Sequence, residues 1–440
     1  MSEKTILGGY LVPSAAAGPK EGWGLHIRDG VIDDVGPNAS LTTAHPGSPV
    51  LDARGMLVIP GLINTHMHMY GMLSHGISVP VSPQGFYAFL EEFWWPYVED
   101  QLDRDLIRDA AALAAVEMVR SGVTSFSDIL EAPNAIPGAL EAEREAIEAA
   151  GLRGILSFEA TERMGAANGR LGLAENAEFV RAHNRPGSPV TGMMCIHTTF
   201  TCSAGFLKDA RRMADELRSG IQLHLSESPY EPGWCLEHHG KRPAEFYADL
   251  GFLGPDVLAS QCVQLSEGEM DLLAKYGVRA SHMPLSNCEV GGGVAPVPDL
   301  LARGVTVGLG SDGYINNFFE VMRGAFLIHK AYRQDPRVMP ARTVFDLATA
   351  QGARALGLAD AGTLEPGKSA DIVVIDADLP SPLNERNLFD QLVLYRNPQD
   401  VEMVMVRGRV LLEGGRLTTV DEERIRARAK EAAAALWRKK

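Results

Sequence analysis

Two histidines separated by one residue, His66 and His68, close an apolar run that follows Pro60-Gly61. In a β-strand, residues i and i+2 point to the same face, so the two imidazoles can reach one point. Neutral imidazole is the commonest metal-ligating side chain. A His-x-His pair alone is a weak signal, because most such pairs face solvent or are core residues with satisfied hydrogen bonds. A metal hypothesis therefore needs a third histidine and a carboxylate further along the chain.

Both groups occur at the ends of later apolar runs, as His224 and as Asp312. Three nitrogens and one carboxylate suit zinc or ferrous iron, with a coordination position left for water. A bound metal lowers the pKa of that water from about 15.7 toward about 7. The sequence predicts a divalent metal ion, zinc or iron, held by His66, His68, His224 and Asp312.

Two further residues stand where they could act on a substrate. Glu227 lies three residues after His224 in His-Leu-Ser-Glu, where a carboxylate could move a proton between the metal water and a leaving group. A solvated loop glutamate is the alternative. His197 closes another apolar run and either holds a polar group of the substrate or is structural. We predict Glu227 and Asp312 as the proton-handling residues.

The elements that must position these residues alternate between predicted strands and predicted helices. Strand-like runs end near His68, Asp128, Glu159, His197, Leu225, Cys262, His282 and Asp312, with helical patterns such as 106–121 and 210–217 between them. Eight strands alternating with helices predict a (β/α)8 TIM barrel, whose active site lies at the C-terminal ends of the strands. The fold class is α/β.

Unlike the middle of the chain, both ends contain short β-rich runs joined by Gly turns. We expect one small β-sandwich built from both termini, over residues 1–58 and 363–420. The barrel is then expected over 59–362, and an Ala-, Arg- and Lys-rich amphipathic helix over 421–440.

Bulk properties exclude several classes of protein. The 440 residues carry a net charge of −15, which argues against binding to nucleic acid or to an anionic membrane surface. No signal peptide and no membrane-spanning apolar stretch is expected. Five scattered cysteines, without a Cys-x-x-Cys pair, predict reduced buried thiols in a cytoplasmic protein.

The motifs jointly resemble the amidohydrolase superfamily, in particular its mononuclear deaminase and triazine chlorohydrolase branch. The resemblance is carried by 60–68, His224-Leu-Ser-Glu227, 282–287 with 291–296, Gly310-Ser-Asp312-Gly and 362–375, and it spans almost the whole chain. Segments 93–95, 158–163 and 317–320 with 329–330 further resemble its SsnA aminohydrolase subfamily. No lysine closes strand 4, the source of the carbamate bridge in binuclear relatives, so one metal ion is expected.

The chain departs from this family at the end of strand 6, where a histidine is usual and Gln261 stands. A glutamine donates and accepts hydrogen bonds but carries no proton at neutral pH. Lost acid–base help typically costs about 10²–10⁴-fold in rate. We predict that Gln261 hydrogen-bonds the water or the substrate, and that the reaction differs from ordinary deamination, is slow, or is absent.

The resemblance implies a metal-dependent hydrolase of the aminohydrolase type that attacks a C–N centre of a small nitrogen heterocycle. Ring opening, dehalogenation and a non-catalytic ligand-binding role are the alternatives. Substrate contacts are predicted for His197, for His282 and Asn287 in the strand 7 loop, and for Trp95, one of several aromatic residues in strand-end loops. The expected partner is a small molecule, and the family further suggests a homodimer.

Overall fold

The computed structural model describes residues 3–77 and 81–438. Its strands are β1 (Glu3–Leu11), β2 (Lys20–Glu21), β3 (Trp23–Arg28), β4 (Val31–Pro37), β5 (Val50–Pro60), β6 (Leu62–Met67), β7 (Val123–Leu130), β8 (Arg153–Phe158), β9 (Val190–Gly192), β10 (Met194–Cys195), β11 (Ile221–Leu225), β12 (Val257–Gln261), β13 (Arg279–His282), β14 (Val307–Leu309), β15 (Ile372–Asp376), β16 (Val401–Val406), β17 (Arg409–Glu413) and β18 (Arg416–Leu417).

Its α-helices are α1 (Asn38–Ala44), α2 (Phe86–Phe89), α3 (Trp95–Tyr97), α4 (Arg104–Arg120), α5 (Ala139–Ala150), α6 (Ala166–His183), α7 (Ala204–Leu217), α8 (Tyr230–His239), α9 (Pro243–Asp249), α10 (Glu267–Tyr276), α11 (Pro284–Glu289), α12 (Val297–Ala302), α13 (Phe318–Arg333), α14 (Ala341–Leu347), α15 (Ala350–Leu356), α16 (Leu388–Tyr395) and α17 (Glu422–Arg438). Short 3-10 turns cover Met69–Ser74, Glu99–Gln101 and Pro398–Asp400, and a π-helical turn covers Leu90–Trp94. Among these helices none is long and apolar enough to cross a bilayer.

The strands β6 to β14 form a closed parallel barrel, which confirms the predicted fold class. The fourth barrel strand is split into β9 and β10, because its first half pairs with β8 and its second half pairs with β11. Every residue of β7 and β8 is buried, as expected for parallel strands covered by helices on the outside and by packed side chains within.

The other sheet joins the two ends of the chain. Its order is β18-β17-β16-β15-β5-β1-β3-β4, with β2 on β1, and β5 is the strand on which the N- and C-terminal segments meet. Its core is formed by a separate cluster of apolar side chains that includes Ile6, Leu25, Val58, Ile372 and Met405. The sheet therefore draws its strands from both termini.

A single glycine connects this sheet to the barrel. Gly61 lies between the last residue of β5 and the first residue of β6. A Cβ atom at position 61 would lie only 2.0 Å from the hydroxyl oxygen of Thr124 on β7, so no other residue fits without a shift of the strands. Gly61 therefore lets β5 pass closely by Thr124 into β6, the strand that leads to His66 and His68.

A buried ion pair fastens the sheet to the end of the barrel where the strands begin. Arg153, the first residue of β8, donates to Asp371 at 2.6 Å and to Asp360 at 2.7 Å. Arg153 and Asp371 are both buried, so this pair is far less screened than one at the surface.

Two smaller predictions concern the cysteines and the C-terminal helix. Four of the five free cysteines are buried, whereas Cys288 is exposed. The helix α17 packs on α4, and Trp437 on it donates a hydrogen bond to the carbonyl of Leu73 at 2.8 Å. The C-terminal helix thus lies against the barrel, beside the turn that follows β6.

Candidate active site

Three histidines converge at the C-terminal ends of the barrel strands. His66 and His68 lie at the end of β6 and His224 lies in β11, and all three are buried. One ring nitrogen from each lies within 4.8 Å of the other two, and the Nε2 atoms of His68 and His224 are 3.3 Å apart. This is a histidine-rich candidate metal site.

The other ring nitrogen of each histidine faces the surrounding protein. His68 Nδ1 donates to the carbonyl of Ile129 at 2.7 Å, and His66 Nδ1 lies 2.8 Å from the hydroxyl of Ser260. His224 Nδ1 lies 2.8 Å from a carboxylate oxygen of Glu159. A carbonyl and a carboxylate accept hydrogen bonds, so they favour the tautomer with the proton on Nδ1 and the lone pair on Nε2.

The buried nitrogen of one ring tests whether these residues fit a metal ion. His66 Nε2 is buried and has no hydrogen-bond partner within the described part of the chain. Buried polar atoms are normally paired, and an unpaired one calls for an explanation such as an ion. Three convergent imidazole nitrogens and a neighbouring carboxylate are a donor set that suits a divalent transition metal, so the residues fit.

Asp312 lies beside this cluster, just after β14. Its Oδ1 is 3.5 Å from His68 Nε2, and the backbone N–H of Gly313 donates to the same oxygen at 2.7 Å. Asp312 has a φ of +62°, an unusual left-handed conformation for a non-glycine residue. Burial raises the pKa of this carboxyl, but His68 and the other two histidines lower it below its usual value.

Gln261, at the end of β12, is held at both ends of its amide. Its Nε2 donates to Asp312 Oδ2 at 2.6 Å, and its Oε1 accepts a hydrogen bond from Asn287. The hydroxyl of Ser286 donates to the same carboxylate oxygen at 3.0 Å. Because Asn287 supplies a donor, the Gln261 amide must point its own donor at Asp312.

Glu227 lies on the wall of the cavity that contains the metal-site candidates. Burial, with a further contribution from Asp312, raises the pKa of the Glu227 carboxyl to about 8. A carboxyl with a pKa near neutrality exchanges protons readily in both directions, which is the property a general acid–base needs.

Glu159 is a functional candidate that the sequence analysis did not select. It follows β8 directly and is buried, with one oxygen 2.8 Å from His224 Nδ1 and 3.7 Å from His197 Nε2. Burial raises the pKa of Glu159, but His197 and His224 lower it, and the balance leaves it at about 2. The sequence feature that could have identified Glu159 is its position at the end of a strand, a position that the predicted site residues share.

The cavity has a volume of about 460 Å³ and a largely aromatic wall. Its polar floor includes Glu159, His197, Glu227, Gln261 and Asp312. Another part of the lining comes from the segment after β6, with Phe86, Phe89, Phe93, Trp94 and Trp95. A cavity of this size, apolar with a few convergent polar groups, suits a small planar molecule.

The predicted substrate-contacting residues divide into two pairs. His197 and Trp95 line the cavity. His282 instead turns toward helix α13, where its Nε2 lies 3.0 Å from Nε2 of His329, and Asn287 is hydrogen-bonded to Gln261. Neither His282 nor Asn287 lines the cavity.

The protein thus combines a closed parallel barrel with a histidine-rich candidate metal site at the C-terminal ends of its strands, an arrangement found in metal-dependent hydrolases. The model of the amidohydrolase family matches residues 57–411 of this chain. The chain belongs to the amidohydrolase family, and it is a hydrolase of C–N bonds other than peptide bonds. The predicted family, fold and enzyme class are confirmed, whereas the SsnA subfamily stays a prediction.

Relatives with assigned activities match along nearly the full length. A 5′-deoxyadenosine deaminase from Methanosarcina acetivorans is 35% identical over 439 residues, which cover 98% of each chain. A 5-methylthioadenosine/S-adenosylhomocysteine deaminase from Desulforudis audaxviator is 34% identical, with 97% of each chain covered.

Solved structures share the fold. A zinc-bound adenosine deaminase from Xanthomonas campestris superposes with a TM-score of 0.89 at 24% identity, covering 99% of this chain and 98% of that one. A zinc-bound atrazine chlorohydrolase from Arthrobacter aurescens superposes with a TM-score of 0.87 at 23% identity, covering 98% and 100%.

Proposed function

We propose that this protein deaminates an adenosine-type nucleoside hydrolytically, with water replacing the amino group of the purine ring and ammonia leaving. The observation that carries the proposal is the convergence of the His66, His68 and His224 nitrogens beside Asp312, with Glu227 on the same cavity. The 35% identity to a 5′-deoxyadenosine deaminase supports the adenosine-type substrate.

We propose a single divalent ion, zinc or iron, held by His66, His68, His224 and Asp312. When bound there, such an ion supplies an activated water and polarises the substrate. The protein groups around it are fixed before substrate arrives, because each imidazole already has its second nitrogen directed at Ile129, Ser260 or Glu159.

Glu227 is proposed to move the proton. In its protonated form it donates to a ring nitrogen of the purine, and in its ionised form it accepts a proton from the attacking water. With a pKa raised to about 8, both forms are populated near neutral pH. Asp312, whose Oδ1 lies 3.5 Å from His68 Nε2, is proposed to share this work.

Gln261 is proposed to take the place of the usual strand 6 histidine as a positioning residue. Its amide N–H holds Asp312 Oδ2 at 2.6 Å, so it orients that carboxylate without taking up a proton. His197 and Trp95 are proposed to contact the substrate from the cavity wall.

The test is an ammonia-release assay on metal-loaded protein with adenosine, 5′-deoxyadenosine and 5′-methylthioadenosine, run with elemental analysis for the metal content. We expect about one metal ion per chain and measurable ammonia. Glu227→Gln should lower kcat by about 10²–10⁴-fold with the metal retained. The exposed Glu237→Gln on α8 serves as the control and should match the wild type.

Failure of every adenosine derivative with fully loaded protein would refute the proposed function. A Gln261→His variant then separates the alternatives. If that variant releases ammonia where the wild type does not, the native protein is a ligand-binding descendant of a deaminase. The homodimer and the cytoplasmic location stay predictions, the first of them open to sedimentation measurements.

A further inference from the structure

A second cavity lies beside the metal cavity and meets it at one residue. It has a volume of about 750 Å³ and is lined by the segments that follow β8 and β10 together with parts of α8 and the loop after β6. Among the described residues that line the two cavities, Trp95 alone is common to both. The indole of Trp95 is therefore the partition between them.

The neighbours of Trp95 hold the ring on both sides. The guanidinium carbon of Arg163 lies 5.0 Å from the indole centre, and Tyr87 meets the ring edge-on at 6.1 Å. On the metal side the ring of His197 lies 6.4 Å from the indole, and His197 is in turn 5.5 Å from His224. The partition is thus one side chain away from the metal-site candidates.

The indole N–H of Trp95 lacks an acceptor. Its Nε1 is buried and has no hydrogen-bond partner among the described residues. A tryptophan N–H that is buried normally finds a partner. This donor, at the boundary of two cavities, is available to a polar atom of a bound molecule.

The second cavity is lined by charged, hydroxyl and aromatic side chains. Its lining combines the charged groups Asp100, Glu162 and Arg163 with the hydroxyls of Thr199 and Thr201. Arg163 is itself paired with Glu99, Asp100 and Glu131, so it is a fixed part of the wall. Its charged and hydroxyl groups suit a polar, hydrogen-bonding substituent.

Resting on the proposed function, we propose that Trp95 sets the length of substrate that this enzyme accepts. In this arrangement the reacting carbon lies at the histidine cluster, and the ribose end of the nucleoside points toward the wall that Trp95 forms. The metal cavity accepts adenosine-type nucleosides with a hydrogen or a short 5′ substituent. Trp95 excludes a long polar 5′ substituent from the second cavity, where that substituent would otherwise bind.

The test compares a short and a long substrate in three proteins. The substrates are 5′-deoxyadenosine and S-adenosylhomocysteine, and the proteins are the wild type, Trp95→Ala and Trp95→Phe. We expect the wild type to favour the short substrate. Trp95→Ala should raise the ratio of kcat/KM for the long over the short substrate by about 10-fold or more, whereas Trp95→Phe keeps the bulk and stays near the wild-type ratio.

A ratio for Trp95→Ala within about twofold of the wild type would overturn the proposal, since the 10-fold change expected from an opened pocket would be missing. Trp95→Leu replaces Trp95→Ala if the smaller variant does not fold, as judged by circular dichroism. Calorimetry on metal-depleted protein gives the ratio of the binding affinities for the two compounds. This ratio tests the same discrimination independently of turnover. If no protein releases ammonia, the proposed function fails, while the binding ratio still supports or overturns the role of Trp95.

Discussion

Replacement of Glu159 by Gln tests whether the carboxylate behind His224 prepares that histidine for metal binding. The wild-type carboxylate lies 2.8 Å from His224 Nδ1, and neighbouring histidines hold its pKa at about 2, so it is ionised at neutral pH. The amide of the variant keeps the shape and an acceptor oxygen but lacks the negative charge. The lone pair on His224 Nε2 should therefore become a weaker donor to a metal ion.

The size of the effect follows from what such partners usually contribute. Loss of a carboxylate behind a metal-bound histidine lowers metal affinity by about 10–100-fold. That range corresponds to about 1.4–2.7 kcal/mol. We place this site within the range rather than below it, because Glu159 and His224 are both buried and water cannot replace the lost charge.

The assay is zinc competition against a chromophoric chelator, with the wild type, Glu159→Gln and Glu131→Gln measured side by side. Glu131 is a matched control: it is a buried carboxylate just past β7, and it pairs with Arg163 instead of a metal-site histidine. We expect weaker zinc binding in Glu159→Gln alone. Unchanged zinc affinity in that variant, or an equal loss in both, would refute the reasoning.

Two further predictions concern stability. Arg153→Ala should lower the free energy of unfolding in urea by about 3–5 kcal/mol, because Asp371 is left buried without this ion-pair partner. The control Arg212→Ala, at a side chain that is 58% exposed, should cost less than about 1 kcal/mol. Equal losses in the two variants would contradict the prediction. Burial raises the pKa of Asp128 to about 7, so the unfolded chain gives up this proton first and wild-type stability falls as the pH rises from about 4 to 7. Asp128→Asn, measured in metal-depleted protein, should therefore gain stability relative to the wild type across that window, by at most about 1.4 kcal/mol per pH unit. A constant difference between Asp128→Asn and the wild type across that window would count against the assignment.

The sequence predicted the barrel because its strands are nearly continuous apolar runs that end in polar residues. That rule located His66, His68, His224 and Asp312 together, although they come from three different strands. It also located Glu227, since a strand end and a nearby histidine are both visible in the chain.

Side-chain direction was harder to predict than strand position. His282 also ends a strand, but its ring turns to His329 on α13, a contact between residues 47 positions apart that no local pattern contains. Glu159 was visible only as a strand-end residue, because its partners, His197 and His224, come from the fourth and fifth strands. The role of Trp95 depends on two cavities that exist only in the folded chain.

The position of β5 in its sheet has a consequence for how the chain folds during synthesis. The partner of one edge of β5, β1, is present once the first sixty residues are made, but the other edge waits for β15, whose Ile372 pairs with Pro60. At about 5–20 residues per second, that wait lasts about 15 to 60 s. During this time an unpaired edge strand next to an apolar cluster is exposed to pairing with other chains.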